Sequence, residues 1–170
     1  MILQIGSKSK REFKGQSLLQ TIDDYVIIDL ETTGYDAIFD SIIEIGAIKY
    51  ISNEEVDRLQ YLINIDSPLD NFIIEHTGID INEALDKLDF FVGDSIVIAH
   101  NANFDVNFLY QGFLEFLNKP FRNDFIDTLR LTRILFKDFE NHKLSTLVNN
   151  FGFGLNIEHR SISDCEAVNL

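Results

Sequence analysis

Positions 25–34 of the chain hold the segment Tyr25-Val26-Ile27-Ile28-Asp29-Leu30-Glu31-Thr32-Thr33-Gly34. A run of β-branched and aromatic residues that ends in a polar turn predicts a buried β-strand. Side chains two positions apart on a strand point to the same face, so we expect Asp29 and Glu31 to lie side by side. Two carboxylates about 4 Å apart repel by about 4 kcal/mol at an effective dielectric constant of about 20. A cation, protonation or hydrogen bonds must stabilise such a pair, and a metal ion is our first hypothesis.

The length and composition of the chain predict a single domain. Its 170 residues are 45% hydrophobic, with 15 Phe and no Trp, which is enough for one core built from Phe, Ile and Leu. No apolar run approaches the roughly 18 to 20 residues that cross a bilayer, and the start of the chain does not have the pattern of a signal peptide. The single cysteine, Cys165, excludes an internal disulfide and has no partner for a structural zinc site. We therefore expect a cytoplasmic domain with no membrane partner.

The charge of the chain argues against broad electrostatic attraction to nucleic acid. The formal net charge is −14, whereas such attraction rests on Lys and Arg that neutralise phosphates. The negative charge is a weaker argument against nucleic-acid binding if acidic residues surround divalent cations, because bound ions reverse the local electrostatic field. Basic residues concentrate near the start of the chain, at Lys8, Lys10, Arg11 and Lys14. We interpret residues 1–22 as an N-terminal arm or linker, either a solvated tail or a segment that touches phosphate, and residues 23–170 as the domain.

Hydrophobic periodicity predicts a mixed α/β sheet of five strands flanked by helices. The first strand starts at Tyr25, and the others are expected at 42–51, 59–65, 95–99 and 125–127. The first three form an antiparallel meander, and the later strands are parallel. Helices are expected as two short segments within 71–88, then at 103–118, 128–136 and 143–151, with a last one from Ser161.

Acidic and histidine residues recur at three places where predicted elements end or begin. The first motif is Asp29-x-Glu31 with its Thr32-Thr33-Gly34 turn. The second is His100-Asn101-Ala102-Asn103-Phe104-Asp105, and the third is His159-Arg160-Ser161-Ile162-Ser163-Asp164. Together, in this order and spacing, they resemble the DEDD superfamily of 3′-to-5′ exonucleases, in its histidine-bearing subgroup. That subgroup includes bacterial DNA polymerase III proofreading domains, and the resemblance covers about residue 24 to the C-terminus.

The resemblance implies a ribonuclease H-like fold and a two-metal reaction. Two divalent cations, Mg²⁺ or Mn²⁺, can generate the nucleophile and stabilise the leaving oxygen of a phosphodiester, and Mg²⁺ prefers oxygen ligands. The residues that match the family's metal ligands are Asp29, Glu31, Asp105 and Asp164. His159 matches the general base, a role that a neutral imidazole can fill near pH 7. The residues implied at the terminal nucleotide are Thr32, Thr33 and Asn101, with His100 as an organiser of the second motif.

The implied activity is removal of nucleotides from the 3′ end of single-stranded or frayed DNA, in proofreading or repair. The implied partners are single-stranded nucleic acid, DNA in preference to RNA, and a DNA polymerase or helicase. An exoribonuclease of the same subgroup is the first alternative, since a 2′-hydroxyl is sensed by local shape rather than by metal ligands. The second is a non-catalytic binding or scaffold module with the same fold.

Single residues also have alternatives. Asp29 and Glu31 could mark a strand end that meets solvent, and Asp105 could complement its helix dipole. Asp164 could complete a capping box with Ser161, and His159 could be an ordinary loop histidine. The family usually has alanine where Ser161 stands. The chain ends six residues after Asp164, so we expect the last helix to be truncated.

Overall fold

A computed structural model describes residues 15–64, 78–152 and 160–169. Within these residues six strands form one mixed sheet in the order β1-β6-β5-β2-β3-β4. The strands are β1 (Ser17–Leu18), β2 (Tyr25–Thr32), β3 (Ile42–Ile51), β4 (Glu54–Leu62), β5 (Ile96–Ala99) and β6 (Phe125–Asp127). The helices are α1 (Ile81–Val92), α2 (Asn103–Phe116), α3 (Thr128–Leu135), α4 (Leu144–Phe151) and α5 (Ser161–Val168). In the described part of the chain no helix is long and apolar enough to span a membrane.

Strand β2 lies where the sheet changes from antiparallel to parallel pairing. It pairs antiparallel with β3 and parallel with β5. On one face of the sheet, alternate side chains of β2 such as Val26 and Ile28 pack with α1 and α2 in the larger core. On the other face, Tyr25 and Ile27 pack with α5 in a smaller core. Because the period of a strand is two, Asp29 and Glu31 continue the face that α5 covers.

The predicted mixed α/β fold is confirmed, but the sheet has six strands rather than the predicted five. The additional strand is β1, which lies inside the predicted arm at residues 1–22 and pairs parallel with β6. Its neighbour Gln16 accepts a hydrogen bond from Phe125 N at 2.9 Å and donates one from its own N to Asp124 Oδ1 at 2.7 Å. The boundary between arm and domain stays a prediction.

Two other predicted elements differ in their bounds. Strand β4 begins at Glu54 rather than at 59, because Ser52 and Asn53 alone make the turn after β3, with φ of 53° and 61°. Helix α1 occupies Ile81–Val92, and the earlier part of the predicted helical region, 71–77, lies outside the described residues. Asp80 starts α1 by accepting a hydrogen bond from Asn82 N, which is typical of an N-cap.

Candidate active site

Three of the predicted metal ligands meet where β2 ends beside α5. One carboxylate oxygen from each of Asp29, Glu31 and Asp164 lies within 4.8 Å of the other two. Asp29 and Glu31 are partly buried on β2, and Asp164 lies in the first turn of α5 with 9% of its surface exposed. The structure thus brings together carboxylates that are separated by more than 130 positions in the sequence. We name these three residues the carboxylate cluster.

Asp105, the fourth predicted ligand, is hydrogen-bonded to the backbone of β2 between Asp29 and Glu31. It lies in the first turn of α2, is only 4% exposed, and accepts a hydrogen bond from Leu30 N at 3.1 Å. Leu30 stands between Asp29 and Glu31, so this bond joins the N-terminus of α2 to the strand that carries them. Asp105 is not one of the three residues within 4.8 Å of one another, but its charge raises the pKa of Asp29.

The first motif continues into a loop that its two threonines close. The pairing of β2 with β3 shifts in register between Glu31 and Thr32. Thr32 Oγ1 donates to Gly34 O at 2.6 Å. Thr33 N donates to Ser41 O at 2.9 Å, and Thr33 Oγ1 donates to Asp40 Oδ1 at 3.3 Å. Both hydroxyl groups therefore stabilise the loop, and contact of Thr32 or Thr33 with a nucleotide stays a prediction.

The second motif forms a tight turn that a buried aspartate holds. Asn101 is exposed and adopts a left-handed conformation with φ of 66°. Its N donates to Asp127 Oδ1 at 3.1 Å, and Leu129 N donates to the same oxygen at 3.0 Å. His100 Nδ1 lies 3.0 Å from Thr128 Oγ1, and the role of His100 as an organiser of the motif stays a prediction. Our sequence analysis missed Asp127, although an aspartate directly before a helix is a typical N-cap.

The third motif is described only from Arg160 onward, because the predicted general base, His159, lies outside the described residues. Helix α5 starts with Arg160 at the N-cap position, without a side-chain cap. Ser161 Oγ instead donates to Glu44 Oε1 at 2.9 Å, so the capping-box alternative for Asp164 is wrong. Glu44 is a second buried acid that our sequence analysis did not assign to the site.

The surroundings of Asp29 and Asp105 favour the protonated form of each carboxyl group. Burial raises the pKa of Asp29 well above its usual range, and the negative charges of Asp105 and Asp164 raise it further. Burial also raises the pKa of Asp105 to about 8, although its hydrogen bond with Leu30 N acts in the opposite direction. His100 shows the reverse effect, since burial lowers its pKa. Without cations, Asp105 therefore tends to keep its proton near neutral pH, and the pKa of Asp29 is shifted in the same direction.

The residues present fit hard divalent cations. The donors of the cluster are carboxylate oxygens, which Mg²⁺ and Mn²⁺ prefer. The raised pKa values of Asp29 and Asp105 mark a site where the ionised form needs nearby positive charge. Asp29, Glu31 and Asp164, with Asp105 beside them, are the side chains that would hold such ions.

A family model for exonucleases matches residues 26–169, a range that contains the carboxylate cluster and Asp105. This chain belongs to the exonuclease family. The family agrees with the DEDD class of 3′-to-5′ exonucleases that the three motifs resemble, and it makes the chain a nuclease domain. Membership of the histidine-bearing subgroup stays a prediction.

The curated relatives that the chain matches are much longer than this chain. The chain is 39% identical over 153 residues to the PolC-type DNA polymerase III of Halalkalibacterium halodurans, a match that covers 85% of the chain and 11% of the relative. It is 40% identical over 153 residues to the PolC-type DNA polymerase III of Bacillus subtilis, covering 84% of the chain and 11% of the relative. The chain therefore spans about a tenth of the length of these curated relatives.

The fold is also that of solved exonucleases. The structure of E. coli exonuclease I in complex with a dA16 oligonucleotide superposes with a TM-score of 0.72 at 16% identity, covering 87% of this chain and 39% of that one. This likeness supports the ribonuclease H-like sheet with its flanking helices.

Proposed function

We propose that this exonuclease domain removes nucleotides from the free 3′ end of single-stranded or frayed DNA by a two-metal mechanism. The observation that carries the proposal is the carboxylate cluster, with Asp105 hydrogen-bonded to the strand between its first two members. If Asp29 and Glu31 only marked a strand end that meets solvent, nothing would require an acidic residue of α5 to lie beside them.

Phosphodiester hydrolysis needs a deprotonated water at phosphorus and stabilisation of the departing 3′ oxygen. Asp29, Glu31, Asp105 and Asp164 would hold two divalent cations, which supply acidification of water and neutralisation of developing charge. His159 takes the proton of the attacking water as the general base of this proposal. Asn101, exposed on the turn that its hydrogen bond to Asp127 stabilises, contacts the terminal nucleotide together with the loop of Thr32 and Thr33.

The PolC-type relatives support DNA as substrate and a polymerase as partner, in proofreading. Exonuclease I, whose structure contains a dA16 oligonucleotide, supports a single strand as the bound form. A terminal nucleotide that is paired must leave its stack to enter such a site, at a cost of about a few kcal/mol, and a mismatched end costs less. We therefore expect digestion to be fastest on single strands, slower on mismatched ends and slowest on paired ends.

The test is hydrolysis of 5′-labelled single-stranded DNA and RNA of equal sequence, with Mg²⁺ or Mn²⁺ in excess over chelator. We expect a ladder that shortens from the 3′ end, mononucleotide products, and faster digestion of DNA than RNA. A closed single-stranded circle is the control, since it offers no 3′ end. Rapid nicking of the circle would contradict exonuclease polarity, and faster digestion of RNA would favour the exoribonuclease alternative.

Variants of the cluster test the assignment of ligands. Asp29→Asn and Asp164→Asn should each retain less than about a tenth of the Mg²⁺-dependent rate, because transition-state charge is then poorly neutralised. Asp86→Asn removes an exposed acid on α1 and is the matched control. Retention of most activity in either cluster variant would contradict the two-metal proposal.

A further inference from the structure

Glu44 is a buried carboxylate that lies beside the cluster without belonging to it. It is 4% exposed on β3, where its register partner on β2 is Glu31. Its Oε1 accepts hydrogen bonds from Gln60 Nε2 at 2.7 Å and from Ser161 Oγ at 2.9 Å. Its Oε2 forms an ion pair with Arg160 Nε at 3.2 Å. A buried charge is costly unless several donors satisfy it, and Glu44 has donors from both β4 and α5.

Two consecutive donors of Glu44 are the residues at which α5 begins. Arg160 is its N-cap residue and Ser161 its first helical residue, fully buried against the sheet. The helix start lies directly on the backbone of β3, since a Cβ added at Gly46 would be 2.6 Å from Ser161 Oγ. Gly46 is the register partner of Asp29. The contact that places α5 is therefore adjacent to the strand position that carries the first acid of the cluster.

The position of this helix start determines where the carboxylate of Asp164 lies. Asp164 follows Ser161 by three residues, and its N donates to Arg160 O at 3.0 Å, which closes the first turn. Helix α5 has only eight residues, and a helix this short depends on tertiary contacts for its stability. Repulsion among Asp29, Glu31 and Asp164 opposes the approach of the helix. Charge-assisted hydrogen bonds to a fixed acceptor resist that repulsion and also set the orientation of the turn.

We propose that Glu44 is a positioning residue that, through Ser161 and Arg160, holds Asp164 at the distance from Asp29 and Glu31 that the ions require. The inference rests on the proposed function. It identifies the contacts that hold the third motif beside the first motif in this chain. The hydrogen bond from Ser161 and the ion pair from Arg160 are two separate attachments of the start of α5 to Glu44.

The experiment measures metal affinity apart from turnover. Mn²⁺ is titrated into the substrate-free protein and followed by calorimetry, and kcat and KM are measured on single-stranded DNA. Glu44→Gln keeps the shape and one acceptor oxygen but removes the charge that pairs with Arg160. Loss of such a supporting partner typically weakens metal affinity or activity by about 10- to 100-fold. We expect that range for the Mn²⁺ dissociation constant and for kcat, with KM for DNA changed less than about twofold.

Two further variants separate positioning from general stability. Ser161→Ala removes one donor and leaves the ion pair, so we expect a smaller loss of Mn²⁺ affinity than in Glu44→Gln. In the double variant the two losses should combine non-additively, because both act through one contact. Glu166→Gln is the matched control, since Glu166 lies on the same helix, 43% exposed, and forms an ion pair with Arg58 at 3.0 Å. It should leave Mn²⁺ affinity and kcat unchanged.

The inference is overturned if Glu44→Gln binds Mn²⁺ and turns over DNA like the wild type. Leu88→Ala removes a fully buried side chain of α1 and serves as a variant with a general loss of stability. The inference is also overturned if Leu88→Ala and Glu44→Gln lower Tm equally and lower Mn²⁺ affinity equally. All titrations are made well below the lowest Tm. A wild-type protein that binds Mn²⁺ but does not hydrolyse DNA would refute the proposed function and leave the affinity test of Glu44 intact. An active wild type with an unaffected Glu44→Gln would refute this inference alone.

Discussion

Replacing Asp105 by asparagine should stabilise the metal-free protein at neutral pH while removing its activity. The side chain of Asp105 is buried in the first turn of α2 and accepts a hydrogen bond from Leu30 N. Asparagine has nearly the same shape and keeps an acceptor oxygen for that bond. It carries no charge, so it avoids the cost that burial imposes on the ionised carboxylate.

The magnitude follows from proton linkage. Burial raises the pKa of Asp105 from 3.8 to about 8 in the folded state. The stability that the group contributes is then fully present below pH 4 and is lost as the pH rises toward 8, by about 1.4 kcal/mol per pH unit. At pH 7 the wild type has lost up to about 4 kcal/mol through this group, and a neutral acceptor costs about 1 kcal/mol in hydrogen bonding. Asp105→Asn should therefore be about 3 kcal/mol more stable at pH 7 and nearly equal to the wild type at pH 5.

The assay is urea unfolding in EDTA at pH 5, 6 and 7. The wild type should lose stability across this range, and the raised pKa of Asp29 adds to the loss in the same direction. Asp105→Asn should lose less stability than the wild type between pH 5 and pH 7. Asp86→Asn, an exposed control on α1, should lose as much as the wild type. Saturating Mg²⁺ should reverse the order at pH 7, because the wild type, with all four carboxylates, gains more binding energy from the ions than the variant does. A wild type more stable at pH 7 than at pH 5 in EDTA would refute the reasoning.

Two further substitutions test the third motif. Gly46→Ala should lower the free energy of unfolding by about 1–3 kcal/mol, because the new Cβ overlaps Ser161 and α5 must shift; urea unfolding and Mn²⁺ titration measure both effects. A free energy of unfolding and an Mn²⁺ affinity equal to those of the wild type would contradict the close packing of α5 on β3. His159→Ala should lower kcat by about 10²- to 10⁴-fold, the range for a positioned general base, with Mn²⁺ affinity nearly unchanged. Near-normal turnover at saturating Mg²⁺ would exclude that role.

Elements with a strong periodic pattern were predictable, and those defined by their neighbours were not. Strand β3 and strand β6 have the predicted bounds, and α2 ends two residues early, at Phe116. Strand β1 has only two residues and therefore no period, so its pairing with β6 could not be inferred. The start of β4 was missed because Glu54–Arg58 is exposed on an edge strand, which needs few apolar residues.

The ligand residues could be proposed from the sequence because the three short motifs that carry them resemble those of a known family in order and spacing. Residues that hold those motifs together could not, since their partners are distant in sequence. Glu44 and Ser161 are separated by 117 positions, and their hydrogen bond exists only once α5 packs on β3. A charge within the apolar segment Ile42–Ile48 was the available signal, because a buried carboxylate requires donors. His159 is still a prediction from the third motif alone.

The only cysteine of the chain lies on the face of α5 that packs against the sheet, which makes it a reporter of how that helix opens. Cys165 is fully buried, burial raises the pKa of its thiol, and its Sγ lies 3.6 Å from Gly46 O. A thiol reagent can reach it only when α5 leaves the sheet, so the labelling rate of the unmodified protein measures that opening directly. Divalent cations that bind the carboxylate cluster should slow the labelling, since they join the helix to β2 without touching the thiol.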